Sequence, residues 1–349
     1  MAENNSSIIT TNVTNPYEYL KIVHNSEDDT LTRLDPVPIT NPITNVQNCK
    51  DIPLNIQHKT WIRLFKPPQL QQQKSSKKDD EFSKSLSNNQ SFPLIIYFHG
   101  GGFIMNSAAS NYEHVFCEFV TTRIPAFIAS VEYRLAPENR LPAAYDDAVE
   151  ALNWVKNQAL DTINGEQWLR NFVDFSKCFI MGCSAGGNIA YHACLRTLEL
   201  DLEPIKISGF ILNQPYFGGL RRTESELRLI NNWMLPLVIN DLMWELSLPI
   251  GANRDHVYCN PMVDIDNSSS TILGLVKKLG LIRMKCLVIG CDGDPLIDRQ
   301  IEFVKLLKEK GVMVESCIEE GGFHGVGFSC PEKTDELCVK LKDFILGTY

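Results

Sequence analysis

From residue 94 onward, short apolar runs alternate with amphipathic stretches, and this alternation predicts a repeated strand and helix arrangement. The runs Leu94 to Phe98, Ala126 to Val131, Cys178 to Met181, Ile207 to Leu212, Met284 to Ile289 and Val312 to Ile318 are rich in β-branched and other apolar residues. Strands of this kind are buried on both faces. Between them, Ala143 to Lys156, Ala185 to Glu199 and Arg299 to Lys310 space their apolar residues as helices do. The expected class is therefore α/β, a mostly parallel sheet with helices on both faces. Upstream, Tyr17 to Val23 has helical apolar spacing and Thr30 to Leu34 alternates like a strand. Lys50 to Pro53 and His58 to Phe65 read as the first strands of the sheet, closed by Pro67-Pro68.

Three segments depart from this pattern. Residues 1–15 are rich in Asn, Ser and Thr and read as a disordered tail. Residues 69–91 are almost wholly polar and cannot offset the entropy of ordering by burial, so they read as a loop insertion between strands. Residues 220–250 interrupt the alternation with a helical segment carrying Trp233, Met234, Leu242, Met243 and Trp244, as expected of a lid over the sheet. The whole chain, 1–349, reads as a single domain.

Composition narrows the function. With 33 basic and 42 acidic residues the net charge is -9. No basic stripe offers itself to a phosphate backbone, which argues against a nucleic-acid partner. No apolar run approaches the ~20 residues of a membrane span, and the N-terminus lacks the basic start and apolar run of a secretory signal. A cytoplasmic protein is expected. Its eleven cysteines are scattered without a C-x-x-C pair and read as reduced thiols. No metal or other cofactor is expected.

Two local motifs carry chemistry. Gly182-Cys183-Ser184-Ala185-Gly186 lies between an apolar strand and a helix. A sharp turn there can lift a serine hydroxyl above the sheet, provided small residues flank it. His99-Gly100-Gly101-Gly102-Phe103 follows an earlier strand, and its glycines allow the backbone to curl so that N–H groups converge. The N–H of Ala185, next to the serine, supplies a further donor for an oxyanion. A serine nucleophile needs a base held by a carboxylate. Asp292, Asp294 and Asp298 follow one late strand and His324 follows the next, which is the chain order expected of such a relay. Spacing alone leaves the three aspartates as alternatives. Helix capping is the other use for them.

Together with Tyr133-Arg134-Leu135-Ala136-Pro137-Glu138 and Asp294-Pro295-Leu296, these motifs resemble the plant carboxylesterases of the hormone-sensitive-lipase-like α/β-hydrolase family. The resemblance extends from about residue 16 to the C-terminus. It implies that Asp294 is the triad acid and that Gly101 and Gly102 donate in the oxyanion hole. The Tyr133 to Glu138 run is expected to brace the sheet and the oxyanion loop. Asn15 to Leu20, Asp29 to Arg33 and Asp255 to Pro261 are similar to the branch that deacetylates alkaloid esters, and fruit-type acetate esterases are similar too. A small acetate ester of a plant specialised metabolite is the implied substrate.

One departure from the family is Cys183, where many members carry an acidic residue. A thiol nucleophile is the alternative it raises, but elbow geometry projects the central serine instead. Trp233, Met234, Met243 and Trp244, with Phe103, Tyr216 and Phe217, are expected to line an apolar pocket, half or more of them as core. Two rival functions use similar residues. Gibberellin receptors resemble the family but lack the triad histidine, whereas His324 is present here. An esterase-derived lyase or synthase would use the same base, and thioesterase or amidase chemistry would share every residue named.

Overall fold

The computed structural model describes residues 15–25, 27, 30–34, 39–40, 48–70, 91–263 and 271–347. Residues 1–14 of the expected tail and 71–90 of the expected insertion lie outside the described residues. The described strands are β1 (Ile22–Asn25), β2 (Thr30–Arg33), β3 (Cys49–Asn55), β4 (Thr60–Phe65), β5 (Phe92–Phe98), β6 (Phe127–Glu132), β7 (Val173–Cys183), β8 (Ile207–Asn213), β9 (Lys285–Cys291) and β10 (Met313–Glu319). Eight of them form one sheet in the order β10-β9-β8-β7-β5-β6-β4-β3. From β10 through β6 all neighbours are parallel, and β3 and β4 add an antiparallel hairpin at the edge.

The apolar runs of the central strands are continuous because the sheet there is covered on both sides, whereas no residue of β10, at the edge, is buried, contrary to the reading of Val312 to Ile318. Along β5, Leu94, Ile96 and Phe98 enter one core, while Ile95 and Tyr97 enter another on the opposite face. Every residue of β5 is buried. Helices Ala143–Leu160, Ala185–Thr197 and Ile297–Glu309 contribute to the first core. Helices Asn111–Arg123 and Pro331–Leu346 contribute to the second. Neither of these last two is foreseen in the hydrophobic pattern above. This two-sided burial is what an α/β sheet requires of its central strands.

One further expectation needs correction. The segment Tyr17 to Val23 is not one helix. Asn15 caps a single turn, Pro16–Tyr19, by accepting from the Tyr17 and Glu18 amides. Lys21 then takes a left-handed φ of 56°, and Ile22 begins β1, paired antiparallel with β2. Leu20 and Ile22 are both buried, a two-residue spacing that suits a strand better than a helix. The aromatic pocket follows the expectation that half or more of its seven residues are core: Phe103, Phe217 and Trp244 belong to the core, with Tyr216 and Trp244 stacked 4.5 Å apart, and Met234, Met243 and Tyr216 line the cavity at Ser184.

Within residues 220–250 the chain forms helices Glu224–Arg228 and Leu237–Ser247. Thr223 and Glu226 build a capping box at the start of the first, each side chain satisfying the other's backbone amide. Among the described residues, no helix is long and apolar enough to cross a membrane.

Candidate active site

Ser184 sits between β7 and the helix Ala185–Thr197 with φ 54° and ψ -120°. That left-handed turn is possible because the residues two positions to either side, Gly182 and Gly186, are glycine. A Cβ on Gly186 would lie 1.9 Å from the Phe98 carbonyl oxygen, and one on Gly182 would lie 2.0 Å from the Gly186 carbonyl oxygen. Both obstacles are backbone and cannot swing aside. The turn leaves Ser184 at the carboxyl end of the sheet, where open α/β sheets bind their ligands.

His324 Nε2 lies 2.8 Å from Ser184 Oγ, and its Nδ1 lies 2.9 Å from Asp294 Oδ2. A carboxylate only accepts, so Nδ1 carries the proton and Nε2 is left to accept from the serine hydroxyl. All three residues are buried, Asp294 completely. The other two aspartates are engaged elsewhere. Asp292 accepts from the Gly321 amide at 2.7 Å, and Asp298 accepts from the Ser225 amide at 2.8 Å, at the start of helix Glu224–Arg228. Spacing could not separate the three, whereas their hydrogen bonds do.

The loop after β5 bends through Gly101 (φ 113°) and Gly102 (φ 61°). Among the described residues, the amides of Gly101, Gly102 and Ala185 donate to no protein acceptor. The loop is held from several sides. Tyr133 donates to the His99 carbonyl at 2.8 Å and stacks on its ring, and the Ala136 amide donates to the Phe103 carbonyl at 2.9 Å. Arg33 donates to the Ile104 and Ala136 carbonyls and pairs with Glu138. The Tyr133 to Glu138 segment thus braces the His99 to Phe103 loop.

Two buried acids, not foreseen in the sequence, support the same loop. Glu113 accepts from the Tyr97 hydroxyl at 2.8 Å and from the Gly100 amide at 3.3 Å, and burial pushes its carboxyl up to about 7. Glu132 accepts from Ser107 Oγ at 2.8 Å and the Ala108 amide at 2.7 Å, and burial likewise pushes it up to about 7. Burial also lowers His99 to about 4, so it is neutral when it packs beneath the loop. Cys183 is buried, and desolvation holds its thiol well above the ordinary range. Its sulfur meets Asn213 Nδ2 at 3.5 Å, not a base. A neutral thiol without a base is a poor nucleophile.

In front of Ser184 opens a cavity of about 320 Å³ whose walls are mainly apolar, among them Met105, Tyr216, Met234, Leu235, Met243 and Phe328. Its size and lining are those of a small-molecule site. Gln214 and Gln300, also missed in the sequence, both donate to Asp294 Oδ2, at 3.2 and 3.0 Å. A cue exists for Gln214: it is a polar residue directly after a buried strand, at the ligand-binding edge of the sheet.

Residues 95–327 match the model of a family with the alpha/beta hydrolase fold. A 3-O-acetylpapaveroxine carboxylesterase of Papaver somniferum is 54% identical, over 95% of this chain and 98% of its own. Carboxylesterase 20 of Arabidopsis thaliana is 40% identical, over 96% of this chain and 98% of its own. An esterase of Pyrobaculum calidifontis has a similar fold, with a TM-score of 0.64 at 23% identity, covering 86% of this chain and 85% of that one. The chain belongs to the plant carboxylesterases of the α/β-hydrolase family.

Proposed function

We propose that this protein hydrolyses a small acetate ester of a plant alkaloid, such as acetylated papaveroxine, through an acyl-enzyme on Ser184. The observation that carries the reading is the relay from Ser184 through His324 to Asp294, with links of 2.8 and 2.9 Å, beside three amides without protein acceptors among the described residues. The name of the poppy relative supports the substrate class.

In the reaction, Ser184 Oγ attacks the ester carbonyl while His324 Nε2 takes the hydroxyl proton. The carbonyl oxygen gains the electron pair and is held by the amides of Gly101, Gly102 and Ala185; removing one such donor costs about 10² to 10³ in rate. Collapse of the tetrahedral intermediate breaks the ester bond, and His324 returns the proton to the leaving alcohol. Water then attacks the acyl group, giving its proton to His324, and the acid departs as Ser184 recovers its hydrogen. Asp294 holds the ring in one tautomer throughout. The apolar cavity excludes water around the developing charge.

No metal or other cofactor takes part in this scheme. The proposed setting is the cytosol, in keeping with eleven cysteines that make no disulfide. The test is hydrolysis of p-nitrophenyl acetate and of an acetylated alkaloid by wild type and Ser184→Ala. Loss of turnover in the variant, with free acetate and the alcohol as wild-type products, supports the reading. Wild-type turnover by Ser184→Ala overturns the nucleophile, and an eliminated or transferred product favours a lyase or synthase.

A further inference from the structure

His324 stands on a loop that is soft by composition. Gly321, Gly322 and Gly325 around it all have positive φ, between 73° and 92°. A catalytic base on such a loop needs outside support, since a misplacement of about 1 Å can cost 10²-fold in rate.

Gln214 supplies that support from the opposite side of the site. It follows β8 in a left-handed turn, φ 47°, that side chains rarely adopt, and its own amide donates to the Ile289 carbonyl at 2.7 Å. The side chain is buried. Its Nε2 lies 3.2 Å from Asp294 Oδ2 and 3.1 Å from the Phe323 carbonyl, and its Oε1 accepts from the Gly325 amide at 2.8 Å. One amide group therefore touches the acid of the relay and both residues flanking the base. Its donor end faces three acceptors, the third being Cys291 Sγ at 3.3 Å, and its acceptor end faces a donor. Gln300 also donates to Asp294 Oδ2, but Phe323 and Gly325 are not among its partners. Asp292 reaches the loop only at Gly321.

We infer that Gln214 is a positioning residue that locks the His324 loop to Asp294, fixing the base and its carboxylate as one unit. The inference rests on the triad reading above. A glutamate at this position makes a chemical test of it. Protonated, it keeps one donor for Asp294 and one acceptor for Gly325. Ionised, it sets a second carboxylate against Asp294 Oδ2 and the Phe323 carbonyl, and like charges at that range resist sharing a site.

The experiment measures kcat/KM for p-nitrophenyl acetate across pH for wild type, Gln214→Glu and Gln214→Met, with rates expressed per site titrated by a phosphonate ester. Gln214→Glu is expected to approach wild type in acid and to lose activity as pH rises, in a limb that wild type lacks. Gln214→Met, which has neither donor nor acceptor, is expected to fall about 10²-fold at every pH. Counting titrated sites removes any share of the loss caused by misfolding. A role confined to folding would lower the number of sites and leave the shape of the Gln214→Glu profile unchanged, and that result overturns the inference. Ser184→Ala and His324→Ala run in parallel: if they keep turnover the triad reading fails, and if they lose it while both Gln214 variants match wild type, only the present inference fails.

Discussion

Replacing Glu113 by Gln is expected to stabilise the protein, by an amount that grows with pH. Glu113 stands at the start of helix Asn111–Arg123, with the Tyr97 hydroxyl and the Gly100 amide on its two oxygens. Burial pushes its carboxyl from 4.5 to about 7, because two neutral donors do not replace the water an ionised group has lost. In the unfolded chain the group ionises near its ordinary value. Between pH 4.5 and about 7, folded protein therefore holds a proton that unfolded protein has released. Stability linked to this group is full below 4.5 and is lost as pH rises through about 7. At about 1.4 kcal/mol for each pH unit, the loss is about 3 kcal/mol. A glutamine in its place would still accept from the Gly100 amide and does not ionise, so it escapes this loss. Denaturant unfolding of wild type and Glu113→Gln at a series of pH values measures it. The two should differ least below pH 4.5 and by about 3 kcal/mol more above neutrality. A constant difference across the series refutes the reasoning. Glu132 is pushed up to about 7 by burial as well, so Glu113→Gln should retain the part of the alkaline weakening that Glu132 causes.

Other perturbations follow from the same geometry. Gly186→Ala drives a Cβ to 1.9 Å from the Phe98 carbonyl oxygen and should cost about 3 kcal/mol or more in unfolding free energy, with esterase activity lost through displacement of the serine turn. Met243 faces Gly102, where a Cβ would come within 2.1 Å of its sulfur. Met243→Ala should therefore enlarge the acyl side of the cavity and raise the butyrate to acetate ratio of kcat/KM; an unchanged ratio would place the acyl group elsewhere. Cys183→Ala should retain burst acylation by a p-nitrophenyl ester, since the thiol is neutral and has no base, whereas a thiol nucleophile would make that variant inactive.

What the sequence discloses about this site depends on how local each feature is. The serine turn and the glycine loop are short motifs bounded by apolar runs, and both are legible without coordinates. The two-sided sheet is legible for the same reason, since its strands announce themselves as apolar runs of four to seven residues. The pocket aromatics are not. Apolar character at helical spacing signals burial but not which side of a cavity wall a ring occupies, so the pattern allows that half or more of the seven pocket residues are core without showing that Phe103, Phe217 and Trp244 are among them. The short helix at Pro16–Tyr19 misleads through the same ambiguity, because Leu20 and Ile22 fit two periodicities until Lys21 reverses the chain.

The long-range bonds are the least legible and bear most directly on the chemistry. Gln214 meets Asp294 across 80 positions and Phe323 across 109, and no periodicity encodes such a pairing. Yet the residues involved share a local mark. His99, Ser184 and Gln214 each stand immediately after a strand whose final residues are buried, and Asp294 and His324 stand a few residues beyond theirs. A parallel sheet brings all of these strand ends to one edge, so polar side chains placed there must satisfy one another or a ligand. In a chain of alternating strands and helices, a polar residue at such a strand end is therefore worth treating as part of the site before its partner is known. Gln214 is the case that this criterion recovers and motif matching does not.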